Sequence, residues 1–412
     1  ALDQLALEWL SNAINWLPVR LAAGCRLVVS ARGGPELVDY ELRLHPGRRR
    51  LGIPAAEVGS ENGHHTRLQL EQLHNSHLVP IAGLELSDGE LALTRYLQRA
   101  NRTLTEDQRR AVLDGFARNG LPLWLKLASD AAIGWRSWQV PPELPPDVFG
   151  IIRTSLAYLS DESRHGPELI AAALGLLASS AAGLTESELL DLLSLNQKVM
   201  AAYRRRSPES PDVARLPTVI WSRLYSDLQH YFQERRVDHV AVYNFFHREF
   251  AEVVSRLYLD DAEGIKYQQA LADYFDNPEM QPAYLDQRAW KPNLRRLTQL
   301  PASAMSDCDR LYALLDDLSF PIAMTAAERF QELHRFYTLG AAFTSKHDGL
   351  RDWRQFLRQY GHVLLRGDQA WPAHRVMLQR AAEHGNVSPV RLAVRPWLQA
   401  GHCDWHWLCS PV

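Results

Sequence analysis

The sequence predicts a mainly α fold with a minor α/β part at its N-terminal end, and three observations carry that prediction. From Leu86 onward, apolar residues recur at helical spacing, and hydroxyl residues stand three positions before an acid or amide at several helix starts. Before that point a short β-branched run follows a helical pattern, as in one unit of a parallel sheet. In the middle, the order helix, turn, short helix, helix, strand is that of a winged helix. A chain of 412 residues is expected to hold roughly two to four domains, and its 46% hydrophobic content lets each bury a core.

Taken in order, Leu5, Trp9, Leu10, Ala13 and Leu17 share a helical face that Pro18 ends. Residues 25–30 (CRLVVS) read as a buried strand running into Ala31-Arg32-Gly33-Gly34-Pro35. Alternating runs at 37–44 and 66–73 follow, and 77–86 fits another short strand. Ser87 to Glu90 and Thr105 to Gln108 read as capping boxes opening helices that end near Asn101 and Gly120. Asn119-Gly120-Leu121-Pro122 breaks the chain and restarts an apolar helix, and residues 140–146 (VPPELPP) are the clearest linker.

Residues 167–181 are almost wholly apolar and predict a buried helix, and Thr185 to Glu188 caps a short amphipathic one. A polar loop at 204–215, a helix at 219–235, a strand at 239–245 and a helix at 247–259 complete the winged-helix order. Beyond Lys266 the pattern is of helical hairpins without a strict period, for example 268–275, 307–318, 326–343 and 352–365. The expected units are therefore 1–85 (α/β), 86–145 (small helical), 146–262 (winged helix) and 263–412 (helical, repeat-like arm).

The order and spacing of these motifs over about residues 1–260 resemble the STAND class of P-loop NTPases, specifically the NACHT-like regulators often followed by WD repeats. The tail fits more loosely, its segment 388–407 looking like the run-in to a propeller. The resemblance implies the remnant of a P-loop NTPase parallel sheet, a small helical domain, a winged helix and a helical arm. In that family a second acid and a Leu follow the Walker B acid, and Ala1-Leu2-Asp3-Gln4-Leu5 looks like that piece. Asp3 would then help hold magnesium-bound water and align the attacking water; as a plain helix cap before Gln4 it fits equally well. Arg32 falls where the family has its sensor arginine, at a strand tip from which a guanidinium reaches a γ-phosphate. Asn119 to Leu125 (NGLPLWL) resembles the Gly-x-Pro motif, which gives Pro122 the role of packing on adenine. His247 sits where the family's winged helix carries its nucleotide-facing histidine, at a helix N-terminus suited to a diphosphate. The family's Met-His-Asp triplet is absent, Phe246 and Arg248 standing at its flanks, which puts the ADP-locking role in doubt.

No Gly-x-x-x-x-Gly-Lys-Ser/Thr occurs in the sequence, so nothing in it cradles β- and γ-phosphates. ALDQL begins mid-pattern: if the chain is a fragment the phosphate loop is expected upstream of Ala1, if it is complete it is not expected to hydrolyse ATP, and in either case it holds no complete catalytic site of its own. In the context of that loop the cofactors would be ATP or ADP with Mg2+. The implied function is a cytoplasmic signalling switch that couples ligand sensing to opening and self-association with protein partners.

Other classes find little support. A net charge of −3 gives no global attraction to nucleic acid or anionic lipid. For a DNA reader, the helix at 186–195 presents Glu186, Glu188 and Asp191, while Arg204-Arg205-Arg206 is read as a loop offset by Glu209 and Asp212. No apolar run reaches membrane-spanning length, and the N-terminus lacks a signal-peptide pattern. Hydrolase signatures are missing. Neither Cys403 and Cys409 near His402 and His406, nor His64, His65, His74 and His77, match a metal spacing, so no metal site and reduced thiols are expected. The rival is a helical scaffold for protein partners with no nucleotide chemistry.

Overall fold

A computed structural model describes residues 83–407 apart from 287–289, 344–347, 386 and 404. The predicted α/β strands, Asp3 and Arg32 lie outside the described residues. Among those described, seventeen α-helices dominate, and sheet is confined to two antiparallel two-stranded ladders.

Three helices come first: α1 (Leu86–Arg99), α2 (Glu106–Ala117) and α3 (Pro122–Ile133). At α2 the capping box forms as the sequence predicts, with Gln108 N–H donating to Thr105 Oγ1 at 3.3 Å and Thr105 N–H to Gln108 Oε1 at 3.2 Å. The box predicted at Ser87 does not form. Helix α1 already begins at Leu86, with Glu85 at the cap and no side-chain cap bond, so Ser87 lies inside the first turn. Inside that turn Gly89 lies against Phe116, where a Cβ would come within 2.1 Å of the ring. The Pro-rich linker is docked on this unit, since Trp124 Nε1 donates to Pro145 O at 2.9 Å and Asn119 Nδ2 to Pro146 O at 2.8 Å.

The winged helix follows. Asp147 accepts from Gly150 N–H at 2.6 Å and starts α4 (Val148–Leu159); α5 (Pro167–Ser179) is the buried apolar helix that its composition predicts. Then come α6 (Glu186–Leu195), α7 (Gln197–Arg206), α8 (Thr218–Leu228), the hairpin β1 (Phe232–Val237) and β2 (Val240–Phe245), and α9 (Arg248–Tyr258). Leu184 bridges to Tyr243, supplying a minimal third strand. Trp221, Tyr225, Phe232, Tyr243, Phe245 and Phe250 fill the space between α8, the hairpin and α9 with stacked and tilted rings.

Two sequence expectations need correction here. Arg204 to Arg206 are the last turn of α7, not a loop, and each is paired: Arg204 with Asp212, Arg205 with Glu162 and Glu168, Arg206 with Glu162 and the His165 carbonyl. A cationic last turn also complements the helix dipole. The helix predicted over 219–235 stops at Leu228, and a 3-10 turn at Gln229–Tyr231 leads into β1. Glu234, Arg235 and Arg236 are exposed hairpin residues whose composition reads as a solvated helix face.

The arm consists of α10 (Asp261–Asp276), a short ladder of β3 (Leu285–Asp286) and β4 (Lys291–Pro292), then α11 (Leu294–Ala304), α12 (Cys308–Asp316), α13 (Ser319–Ala326), α14 (Phe330–Phe343), α15 (Asp348–Leu364), α16 (Ala373–Glu383) and α17 (Pro389–Gln399). The four hairpin runs read from the sequence coincide largely with α10, α12, α14 and α15. Where one helix was expected over 326–343, the left-handed Glu328 (φ 59°) separates α13 from α14. Part of the predicted propeller run-in is helix α17, which packs on α15 and α16. Buried apolar residues from Leu93 to Leu398 form one connected cluster.

Candidate nucleotide-facing site

The start of α3 is built by its glycine. Gly120 has φ +63°, and a Cβ there would lie 2.9 Å from the Leu84 carbonyl oxygen, so both torsion and space require glycine. Leu84 N–H donates to Gly120 O at 2.8 Å, and Asn119 Oδ1 takes the Leu121 N–H at 2.9 Å. Pro122 occupies the first turn, where its missing N–H costs nothing and its ring is exposed. The cap residue, Leu121, offers no side-chain oxygen, so the first amides of α3 lack a side-chain partner.

His247 arises at the other end of the wing. Strand β2 ends at Phe245, Phe246 N–H donates to Tyr231 O at 2.8 Å, and His247 (φ −105°, ψ 133°) is the cap residue of α9, again without a side-chain cap bond. Its ring meets Phe246 edge-on at 4.5 Å. Burial holds the half-buried imidazole below its ordinary pKa; Glu249 opposes this and Lys126 adds to it. The imidazole is therefore neutral at neutral pH, keeping one ring N–H donor.

Lys126 is the link that the sequence reading missed. It lies four residues after Pro122, hence one turn along the same face of α3, and it is close enough to His247 for their charges to interact. Its ammonium also pairs with Asp130 at 2.7 Å. Lys126 is thus the residue of α3 whose charge is felt at the start of α9. The i,i+4 spacing of Pro122 and Lys126 was available in the sequence; that the Lys126 charge acts on His247 was not. Asp3 and Arg32 lie outside the described residues and are not brought to it.

Other parts of the surface serve different chemistry. A groove of about 860 Å³ runs between α5, the α6–α7 corner and α10, and neither Pro122 nor His247 lines it. Its Tyr267 phenol is pushed up to about 12 by burial, and the neighbouring Tyr274 is raised by burial and Asp191, so neither ionises near neutral pH. The helix preceding the wing is α8 rather than α6, correcting where a DNA-reading face would lie. Its exposed residues are Thr218, Val219, Ser222, Arg223, Ser226 and Asp227, and Asp227 holds His165 at 2.8 Å. Among the described residues, no cluster of three metal-ligating side chains occurs, Cys308 and Cys403 are free thiols, and no helix is long and apolar enough to cross a membrane.

A winged helix set between helical units marks the chain as the helical and winged-helix part of a NACHT/STAND-type protein. More narrowly, residues 150–266 match the model of the NWD1-like winged helix-turn-helix domain. The chain is homologous to NACHT and WD-repeat proteins: it is 32% identical over 302 residues to human NACHT domain- and WD repeat-containing protein 1, covering 73% of this chain and 17% of that protein. The mouse counterpart is 28% identical over 292 residues, 71% of this chain and 16% of the relative. Human NACHT and WD repeat domain-containing protein 2 is 29% identical over 277 residues, 67% and 14% respectively. The chain thus spans about a sixth of the length of these relatives. No solved structure matches it.

Proposed function

We propose that this chain is the nucleotide-responsive part of a signalling NTPase, in which ADP or ATP bound against α3 and α9 sets the disposition of the winged helix and arm. What supports this reading is exposed Pro122 at the start of α3, Lys126 one turn further on, and the charge coupling between Lys126 and half-buried His247 at the start of α9. Helix N-terminal amides, an ammonium and an imidazole donor fit a diphosphate, and a fixed pyrrolidine ring fits a planar base. When bound with magnesium, the nucleotide supplies the negative charge that these groups are arranged to receive. Pro122 positions the base, Lys126 offers a point charge, and His247 donates from its neutral ring. Hydrolysis would need the phosphate loop of the same protein, with Asp3 and Arg32 as water-aligning and γ-phosphate-sensing residues. Opening, self-association and engagement of protein partners would follow from exchange of the nucleotide at this face.

The test is ADP binding by the full-length protein, measured by titration calorimetry and by heat release of co-purified nucleotide. Lys126→Met and His247→Gln are each expected to weaken ADP about five- to tenfold, roughly the net worth of one charge-assisted or neutral hydrogen bond. Unchanged affinity in both variants would remove the site assignment. Absence of any bound nucleotide would leave the helical scaffold as the function.

A further inference from the structure

The tip of the wing is clamped by the arm through charges that have been taken out of water. The turn between β1 and β2 is formed by Asp238 (φ 54°) and His239 (φ 66°), both left-handed. The side chain of Asp238 is only 3% exposed. It accepts a hydrogen bond from Thr298 Oγ1 of α11 at 2.8 Å, is paired with Arg329 just before α14, and has Arg295 Nη1 of α11 at 3.8 Å. Arg329 also donates to Thr298, closing a ring of three side chains. Arg295 reaches on to α6, donating to both oxygens of Glu188 at 2.9 and 2.6 Å and to the Gly183 carbonyl at 3.0 Å. Beside it, Gln299 donates to the same carbonyl at 2.7 Å and accepts from Ala181 N–H at 3.0 Å. Two arm helices thus grip the wing tip and the corner before α6 by hydrogen-bonded charges whose loss is costly in so dry a setting.

The other end of the same hairpin carries His247. Strand β2 spans six residues, Val240 to Phe245, an extended run of roughly 20 Å. It is paired along its whole length with β1 and tied to Leu184 through two backbone bonds at Tyr243. Immediately after it, Phe246 is bonded to Tyr231 and His247 caps α9. A fully paired ladder resists stretching, so a pull along β2 at its tip is passed towards its root. We propose that the wing is a lever: the arm holds it at Asp238, and a displacement of α11 and α14 is delivered along β2 to the start of α9. The functional meaning of the lever, control of the nucleotide face by the arm, rests on the function proposed above. The mechanical coupling does not.

Hydrogen–deuterium exchange of the full chain without nucleotide tests the coupling. Asp238→Asn removes the charge that Arg329 and Arg295 share. It should speed exchange of the Phe246 and Ala251 amides, which donate to the Tyr231 and His247 carbonyls, about tenfold, equivalent to about 1.4 kcal/mol of lost protection, with the amides of 169–177 in α5 unchanged. Acceleration confined to 237–240 and the arm would overturn the lever, because the root would then ignore the tip. Should Asp238→Asn loosen α5 as well, Thr298→Val decides: it keeps the ion pair and removes only the bridging hydroxyl. A smaller acceleration at Phe246 and Ala251 supports the lever, and none overturns it. Titrating ADP into the same variants separates the two ideas. A chain that binds no ADP yet shows the exchange pattern keeps the lever and loses the nucleotide assignment. ADP binding with no faster exchange at Phe246 and Ala251 does the reverse.

Discussion

Replacing Arg295 by Met isolates the energetic worth of the contact between arm and winged helix. The guanidinium donates two bonds to Glu188 and one to the Gly183 carbonyl, in a pair whose side chains are 10% and 8% exposed. After Arg295→Met, Glu188 keeps the Thr185 N–H at 2.8 Å but loses both charged donors, while its carboxylate stays out of water. Breaking one side of such a pair costs about 3–5 kcal/mol, since the partner remains as an uncompensated buried charge. In a body of this order that corresponds to a fall in melting temperature on the order of 10 °C. The assay is differential scanning calorimetry of the variant beside the double variant Glu188→Gln with Arg295→Met. The double change neutralises the stranded carboxylate and keeps the capping box, because glutamine serves at that position as well as glutamate. It should recover more than half of the lost stability. A single variant that melts within about 2 °C of the parent would refute this account of the arm contact. So would a double variant no better than the single one.

Two further outcomes follow from the packing and the site. Gly175→Ala places a Cβ 2.3 Å from the Tyr267 ring, whose hydroxyl donates to the Ala171 carbonyl at 3.1 Å. The overpacking should lower stability by about 1–3 kcal/mol despite alanine's better helix propensity; a urea midpoint at or above the parent's would show that α5 and α10 separate freely. For His247, the folded pKa lies below its ordinary 6.5, so between the two values the unfolded chain binds more protons. Stability is then greatest above 6.5 and declines as the pH falls below it. His247→Gln should flatten that decline, read as melting temperature against pH, and an identical slope in parent and variant would count against the buried imidazole.

Much of this architecture is written in local chemistry. The Thr105 and Thr185 capping boxes, the apolar run that becomes α5, and the Gly120-Leu121-Pro122 restart depend on residues within a few positions of each other. One local signal did not hold: Ser87 lies inside the first turn of α1 rather than at its cap, because the helix begins at Leu86. The β1 strand was hidden for a different reason. Its exposed Glu234, Arg235 and Arg236 carry no alternation of polarity, and only pairing with Val242 and its neighbours makes them a strand.

Pro122 and His247 entered through the resemblance to the STAND class, while the sequence by itself determined the helical class and the winged-helix order. Those signals are short-range, set by periodicity, caps and turns. Only the tertiary structure decided that Lys126 comes near His247, and that Asp238 and Glu188 are gripped by Arg295 and Arg329. In one dimension each of these is a solvated charge. Burial at a junction between distant helices turns the same charges into the contacts that hold the winged helix against the arm.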